Sequence, residues 1–145
     1  MKLGIFTPVF GNLSFDQMLA AVCALGQVQA IEVGAGGWPG SHHLDVDRLL
    51  SSASHAAEYR QKIADAGLTV SAISCHGNPV HPDKETARSY DAVYRKAVRV
   101  AERLDVPVVV TFSGCPGDSD AAQAPNWVTT AWPPQFLEVL EWQWA

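Results

Sequence analysis

Apolar residues along this chain follow two rhythms. Short runs at Leu3–Thr7, Ala30–Val33, Thr69–Ser74 and Val108–Thr111 are rich in β-branched residues, as buried strands are. The stretches between them carry apolar residues three and four apart, the spacing of helices that cover a sheet. Ser14 opens the first helix with Gln17 three residues on, a capping-box pattern. Phe15, Met18, Leu19, Val22 and Leu25 follow before Gly26 supplies the stop. Asp45 to Ala66 reads as helical in two pieces split near Ser51-Ser52, and Gly67 ends it. Pro82 and Asp83 start the strongest helix, with a predicted stripe of Ala87, Tyr90, Tyr94, Ala97, Val98, Ala101 and Leu104. Val108-Val109-Val110 predicts a strand buried on both faces. A long polar loop, Ser113 to Trp132, then leads to Pro133-Pro134 and a last helix, Phe136 to Trp142. That helix meets no glycine, cap or polar tail before Ala145, so an interrupted chain is the expectation.

Strands alternating with helices predict a parallel α/β sheet. The connections divide into two kinds. Helix-to-strand turns are short: Gly26-Gln27, Gly67-Leu68 and Asp105-Val106. Strand-to-helix loops are long and carry the glycines, histidines and hydroxyl residues. Ligands of α/β proteins bind at that end of the sheet, so the candidate chemistry gathers there.

Composition narrows the class. A chain of 145 residues is about one domain, 1–145. With 48% apolar and 17% charged residues it can bury a core. A net charge of −5 and the absence of a basic run argue against a nucleic-acid partner. Thr7-Pro8 and Asp16 interrupt the N-terminal apolar stretch too early for a secretory signal, and no stretch has membrane-spanning length. Cys23, Cys75 and Cys115 are an odd set without paired spacing, which points to a reducing, cytoplasmic setting.

The segment Ser74-Cys75-His76-Gly77-Asn78-Pro79-Val80-His81-Pro82 is the richest in chemistry. A histidine just past a strand end can ligate a metal, move a proton or hydrogen-bond a hydroxyl. The plainer alternative is that His76 and Asn78 satisfy loop backbone groups, and His81 before Pro82 suits a helix start. Glu32, among apolar neighbours, is either an acid, base or substrate acceptor facing a cleft, or a surface partner for a helix cation. Gly34, Gly36, Gly37 and Gly40 fail the dinucleotide fingerprint and read as a flexible loop, with Trp38 as a lid or stacking residue. Cys75 and Cys115 read as small buried hydrophobes. Ser113 lacks a nucleophile-elbow context, but a pocket lined by Ser113-Gly114 backbone suits a substrate oxygen.

With these residues in view, the chain resembles the N-terminal half of the xylose isomerase-like TIM barrels, in particular the sugar phosphate isomerase/epimerase group. The resemblance rests on Lys2–Phe6 leading to Phe10-Gly11, on Ala30 through Gly40, on Ile73 through Pro82, on Thr111 through Gly117, and on Trp132 through Trp144. It implies a parallel (βα)4 segment, the first half of a (βα)8 barrel of roughly twice this length. Members of the group commonly bind a divalent metal such as Mn, Mg, Co or Zn. They interconvert sugars, sugar phosphates or inositol derivatives by proton transfer next to a carbonyl, where a metal stabilises the enediolate. The group's metal ligands and main acid/base carboxylates lie on the last four strands, so the resemblance implies no tightly bound metal and little turnover in this chain alone. His76 matches a substrate-side histidine that is a metal ligand in related abasic-site endonucleases. Glu32 matches a position near the cavity floor.

The expected substrate-side residues are therefore Glu32, Trp38, His76, Asn78 and Ser113, with a carbohydrate as the small-molecule partner. A second expectation is a half-barrel binding module that completes itself by pairing through open sheet edges. A third, a small doubly wound domain, is separated from both by strand order.

Overall fold

A computed structural model describes residues 1–119 and 121–127; the predicted helix from Phe136 to Trp142 and the end of the long loop lie outside them. The elements are β1 (Gly4–Phe6), a 3-10 turn (Thr7–Phe10), α1 (Phe15–Ala24), β2 (Ala30–Gly37), α2 (Val46–Ser51), α3 (Ala53–Asp65), β3 (Thr69–His76), α4 (Lys84–Leu104) and β4 (Val109–Val110). All strands are parallel, in the order β1-β2-β3-β4. Sequential order is that of a barrel segment, whereas a doubly wound sheet reverses direction from its first strand. The described residues group into two compact units. One comprises Met1–Gly77 and Ala92–Phe112; the other comprises Asn78–Asp91 and the described residues from Ser113 onward.

Local sequence chemistry starts and stops the helices of the first unit. Ser14 and Gln17 form the full capping box: the serine side chain accepts from the Gln17 amide, and the glutamine side chain accepts from the Ser14 amide. Asp45 caps α2 by accepting from the Arg48 amide, and Ser52 caps α3 by accepting from the Ser54 amide, which is why the helical region splits there. The returns to the sheet bend through left-handed residues: Gly26 and Gly67 at φ 72° and Asp105 at φ 58°. Two of them share one hydrogen-bond pattern. The Leu68 amide reaches back to the Ile63 carbonyl, and the Val106 amide to that of Ala101. These are Schellman closures, and the buried Leu68 and Val106 supply the accompanying apolar contact.

The core forms where the helices meet one face of the sheet. Ile31, Val33, Ile73 and Cys75 pack there with Met18, Val22, Ile63, Ala97, Val100 and Leu104. Behind the loop that follows β1, the buried His43 places Nε2 3.2 Å from both the Phe10 and Leu13 carbonyl oxygens, and its own carbonyl accepts from the Tyr59 hydroxyl at 3.0 Å. Burial pushes the Tyr59 phenol well above its ordinary range.

Four expectations need correction. The glycine-rich stretch after Val33 is strand, not loop: β2 runs to Gly37, with Gly34 opposite Ser74 and Gly37 opposite His76. β3 likewise extends through His76. β4 is only two residues long, and its valines are half-buried rather than enclosed, because in the described sheet β4 has one neighbouring strand. On α4, Val98 is exposed and Val100 is buried in its place, since the helix turns its Ala97, Val100, Ala101, Leu104 side to the sheet.

Candidate functional site

One extra residue in the β2–β3 pairing decides which β3 side chains face away from the helices. Ser71 is an extra residue in β3 between the pairs Ile31–Val70 and Glu32–Ala72, and its hydroxyl donates to the Ile31 carbonyl at 3.1 Å. Beyond this bulge Val33 and Ile73 enter the core, so by alternation Glu32, Ala72, Ser74 and His76 line the opposite face. Phe6, paired with Glu32, stands on that face too. Glu32 is therefore not a surface partner for a helix cation. Its Oε1 accepts a hydrogen bond from the fully buried Ser74 hydroxyl, and among the described residues this is its polar partner.

His76 ends β3 in an aromatic setting. The Phe112 ring lies face to face with the imidazole at 4.5 Å between centres and 7° between planes. The Phe6 ring is tilted by 50° to the imidazole at 6.3 Å between centres, and the Trp38 indole meets Phe112 edge-on at 5.2 Å. Neither imidazole nitrogen has a hydrogen-bond partner among the described residues. The backbone at the same point is tightly held. The Trp38 amide donates to the His76 carbonyl at 2.8 Å, and Gly37 (φ 66°) brings its Cα so close that a Cβ there would stand 2.0 Å from that oxygen. Trp38 itself is 61% exposed, and the Gly37–Gly40 turn that carries it is closed by backbone hydrogen bonds rather than loose. Next to His76, the Thr111 hydroxyl donates to the Cys75 carbonyl at 2.8 Å. Cys75 is buried, and that burial pushes its thiol up, so it is poorly suited to act as a thiolate nucleophile.

The second unit holds the other predicted residues. Asn78 is buried and uses both ends of its amide on one residue: Nδ2 donates to the Cys115 carbonyl at 2.7 Å, and Oδ1 accepts from the Cys115 amide at 2.9 Å. This pairing fixes the loop after β4 as a strand partner would. Ser113 is exposed, and its hydroxyl makes no hydrogen bond to a described residue. His81 Nδ1 accepts from the Asp83 amide, consistent with a role in starting α4. Asp83 Oδ1 accepts from the Thr86 amide at 2.7 Å. The hydrogen bonds from Thr86, side chain first and backbone second, hold its carboxyl below the usual carboxylate range.

The chemistry this face can perform is limited and definite. Glu32 offers a hydroxyl acceptor, His76 an imidazole whose nitrogens have no hydrogen-bond partner among the described residues, and the aromatic rings an apolar wall. Among the described residues, no three His, Cys, Asp or Glu side chains gather as metal ligands. Glu32 and His76 together are two donors where a divalent cation takes four or more, and His76 is ringed by aromatic carbon, so these residues do not form a complete metal centre. Ser74, Phe6 and Phe112 were not singled out by the motifs; the sequence signal for Ser74 and His76 together is their spacing of two at the end of one strand.

No family model matches the chain. It is 34% identical over 146 residues to the uncharacterized protein YfiH of Bacillus subtilis strain 168, covering 99% of this chain and 46% of that protein. The chain thus spans about half the length of the curated relative it matches. Among solved structures, the xylose isomerase domain protein from Planctomyces limnophilus superposes with a TM-score of 0.55 at 19% identity, over 97% of this chain and 46% of that one. D-psicose 3-epimerase, crystallised in the presence of D-fructose, gives 0.51 at 18% identity over 77% and 37%. These are xylose isomerase-like TIM barrels, and what the likeness establishes is the fold: four parallel strands with the architecture of half such a barrel.

Proposed function

We propose that this chain forms the substrate-side half of a sugar isomerase or epimerase barrel, with Glu32 and His76 directed at a carbohydrate. The observation that carries the reading is the His76 imidazole, stacked on Phe112 and held at the carboxyl end of β3 on the face that Glu32 and Ser74 share. In a parallel α/β sheet that end is where ligands bind. Proton transfer next to a carbonyl needs groups that grip the flanking hydroxyls and fix the reacting carbon. Glu32, oriented by Ser74, accepts from a hydroxyl; His76 donates to or accepts from a second oxygen. Trp38 and Phe112 offer ring surface to the sugar's C–H groups. Within the second unit Asn78 holds the backbone of Cys115, and the exposed Ser113 is read as a further hydroxyl group for substrate. A divalent metal supplies carbonyl polarisation in this chemistry, and its ligands and the main acid/base carboxylates belong to strands other than β1–β4. The protein is read as cytoplasmic on its unpaired cysteines; no helix among the described residues is long and apolar enough to cross a membrane.

Calorimetric titration with Mn²⁺ or Mg²⁺, alongside an isomerisation assay on D-fructose, tests this division of labour. The expected result for the 145-residue chain is weak metal binding and negligible turnover. Tight, stoichiometric metal binding with turnover contradicts it.

A second reading follows from the sheet itself. β1 and β4 are its outer strands, each with one hydrogen-bonded neighbour among the described residues. Such edges suit a half-barrel completed by a second copy or a partner chain. Sedimentation separates the readings: a concentration-dependent dimer supports assembly, and a well-folded monomer at all concentrations removes it.

A further inference from the structure

We infer that Phe112 is a positioning residue for His76: its ring sets the plane of the imidazole, and so the plane in which both ring nitrogens are presented. The inference rests on the reading of His76 as a substrate-side group, and it names the residue through which that group is aimed.

Three observations converge. First, a histidine side chain is ordinarily oriented by a hydrogen bond from one ring nitrogen to a carboxylate or carbonyl, which leaves the other free to work. His76 has no such partner among the described residues, and the stacked ring is the contact that defines its plane there. Second, Phe112 lies parallel to the imidazole within 7° at 4.5 Å, a face-to-face contact that a rotation of the imidazole about its Cβ–Cγ bond breaks unless it is a half-turn that restores the same plane. Phe112 is in turn flanked by the Trp38 edge at 5.2 Å and 76°. Third, the backbone beneath is already fixed, by the Trp38 amide on the His76 carbonyl and by the close approach of Gly37. With the backbone held, the two side-chain torsions of His76 are the remaining freedom, and the terminal one is intrinsically broad. The stack confines it to the settings that keep the two rings parallel. Its ring nitrogens lie in the plane parallel to Phe112, so the partner must approach edge-on.

The experiment uses the 145-residue chain, isotope-labelled at histidine, with D-fructose as the probe. Phe112→Leu keeps an apolar side chain but loses the ring; Phe112→Tyr keeps the ring. In the parent chain the His76 ring protons are expected to give cross-relaxation peaks to Phe6, whose ring centre lies 6.3 Å away. That pattern is expected to be lost or averaged in Phe112→Leu and kept in Phe112→Tyr. An unchanged pattern in Phe112→Leu overturns the inference. The binding arm is a double-mutant cycle with His76→Ala. Phe112→Leu is expected to weaken D-fructose binding roughly tenfold in the parent chain and to have little further effect once His76 is alanine, the behaviour of coupled neighbours. Equal losses on both backgrounds mean that Phe112 acts on the sugar or the fold directly, and the positioning role is overturned. If His76→Ala leaves D-fructose binding unchanged, the substrate-side reading fails, while the ring-proton arm still decides whether Phe112 sets the imidazole plane.

Discussion

The two ends of the sheet are built by different rules. At the amino-terminal end of the strands the same device returns: a helix closes through a left-handed residue, and in two of three cases an amide five residues on bonds back to the helix while a buried Leu68 or Val106 seals the turn. At the carboxyl end no device repeats. β2 overruns into a closed glycine turn, β3 ends on a stacked histidine, and the loop after β4 is pinned by an asparagine amide. Repetition at one end serves stability alone; individuality at the other is what a binding surface requires.

Glycine substitutions break this contrast most sharply. Gly37→Ala adds a Cβ 2.0 Å from the His76 carbonyl oxygen at a φ of 66°, so both the clash and the left-handed backbone oppose it. A loss of about 3 kcal/mol is expected in denaturant unfolding, together with displaced His76 signals. A midpoint equal to that of the parent chain would show the turn to be adaptable. Gly67→Ala has the same backbone demand, φ 72°, but open space around the added methyl. It should cost about 1–2 kcal/mol and leave the His76 resonances in place. If it disturbs them as strongly as Gly37→Ala does, the two ends are not separable.

Ser14→Ala removes one half of the α1 capping box, at a cost of about 1 kcal/mol by thermal unfolding. A neutral result would mean that water replaces the cap. The smallest effect is pH-dependent. The native Asp83 carboxyl lies below its ordinary value of about 3.9, so its contribution to the start of α4 is complete above that pH. It disappears as pH falls through the depressed native value. The protection of the Thr86 amide, measured relative to its intrinsic exchange rate at each pH, is expected to fall in acid in the parent chain and to lose that acid dependence in Asp83→Asn. Protection that persists to strongly acid pH contradicts the assignment.

How much of this was legible without coordinates differs residue by residue. Ser14 with Gln17, the break at Ser52 and the stops at Gly26 and Gly67 are local signals, and each forms as the sequence implies. Gly34 to Gly37 carry almost no side chains, so no periodicity announces a strand; parallel pairing to Ser74 and His76 makes one. Glu32 lies on the face opposite Ile31 and Val33 by alternation in β2, but packing decides which face meets the helices, and in β3 the extra residue at Ser71 resets the alternation. Val98 and Val100 differ by two positions on one helix, and only packing decides which is buried. The Phe112–His76 stack joins residues 36 apart in sequence through the ends of two strands, and no spacing rule reaches that far.

The central claim is that the carboxyl end of β2 and β3, and not the repeating end, is the sugar-facing surface. Titrating D-fructose into the ¹⁵N-labelled 145-residue chain and following every amide tests it most directly. Shifts concentrated at Glu32, Gly37, Trp38, Ser74, His76 and Phe112, with Gly26, Gly67 and Asp105 unmoved, are the predicted result. Saturating binding whose shifts avoid the residues around His76 would contradict it.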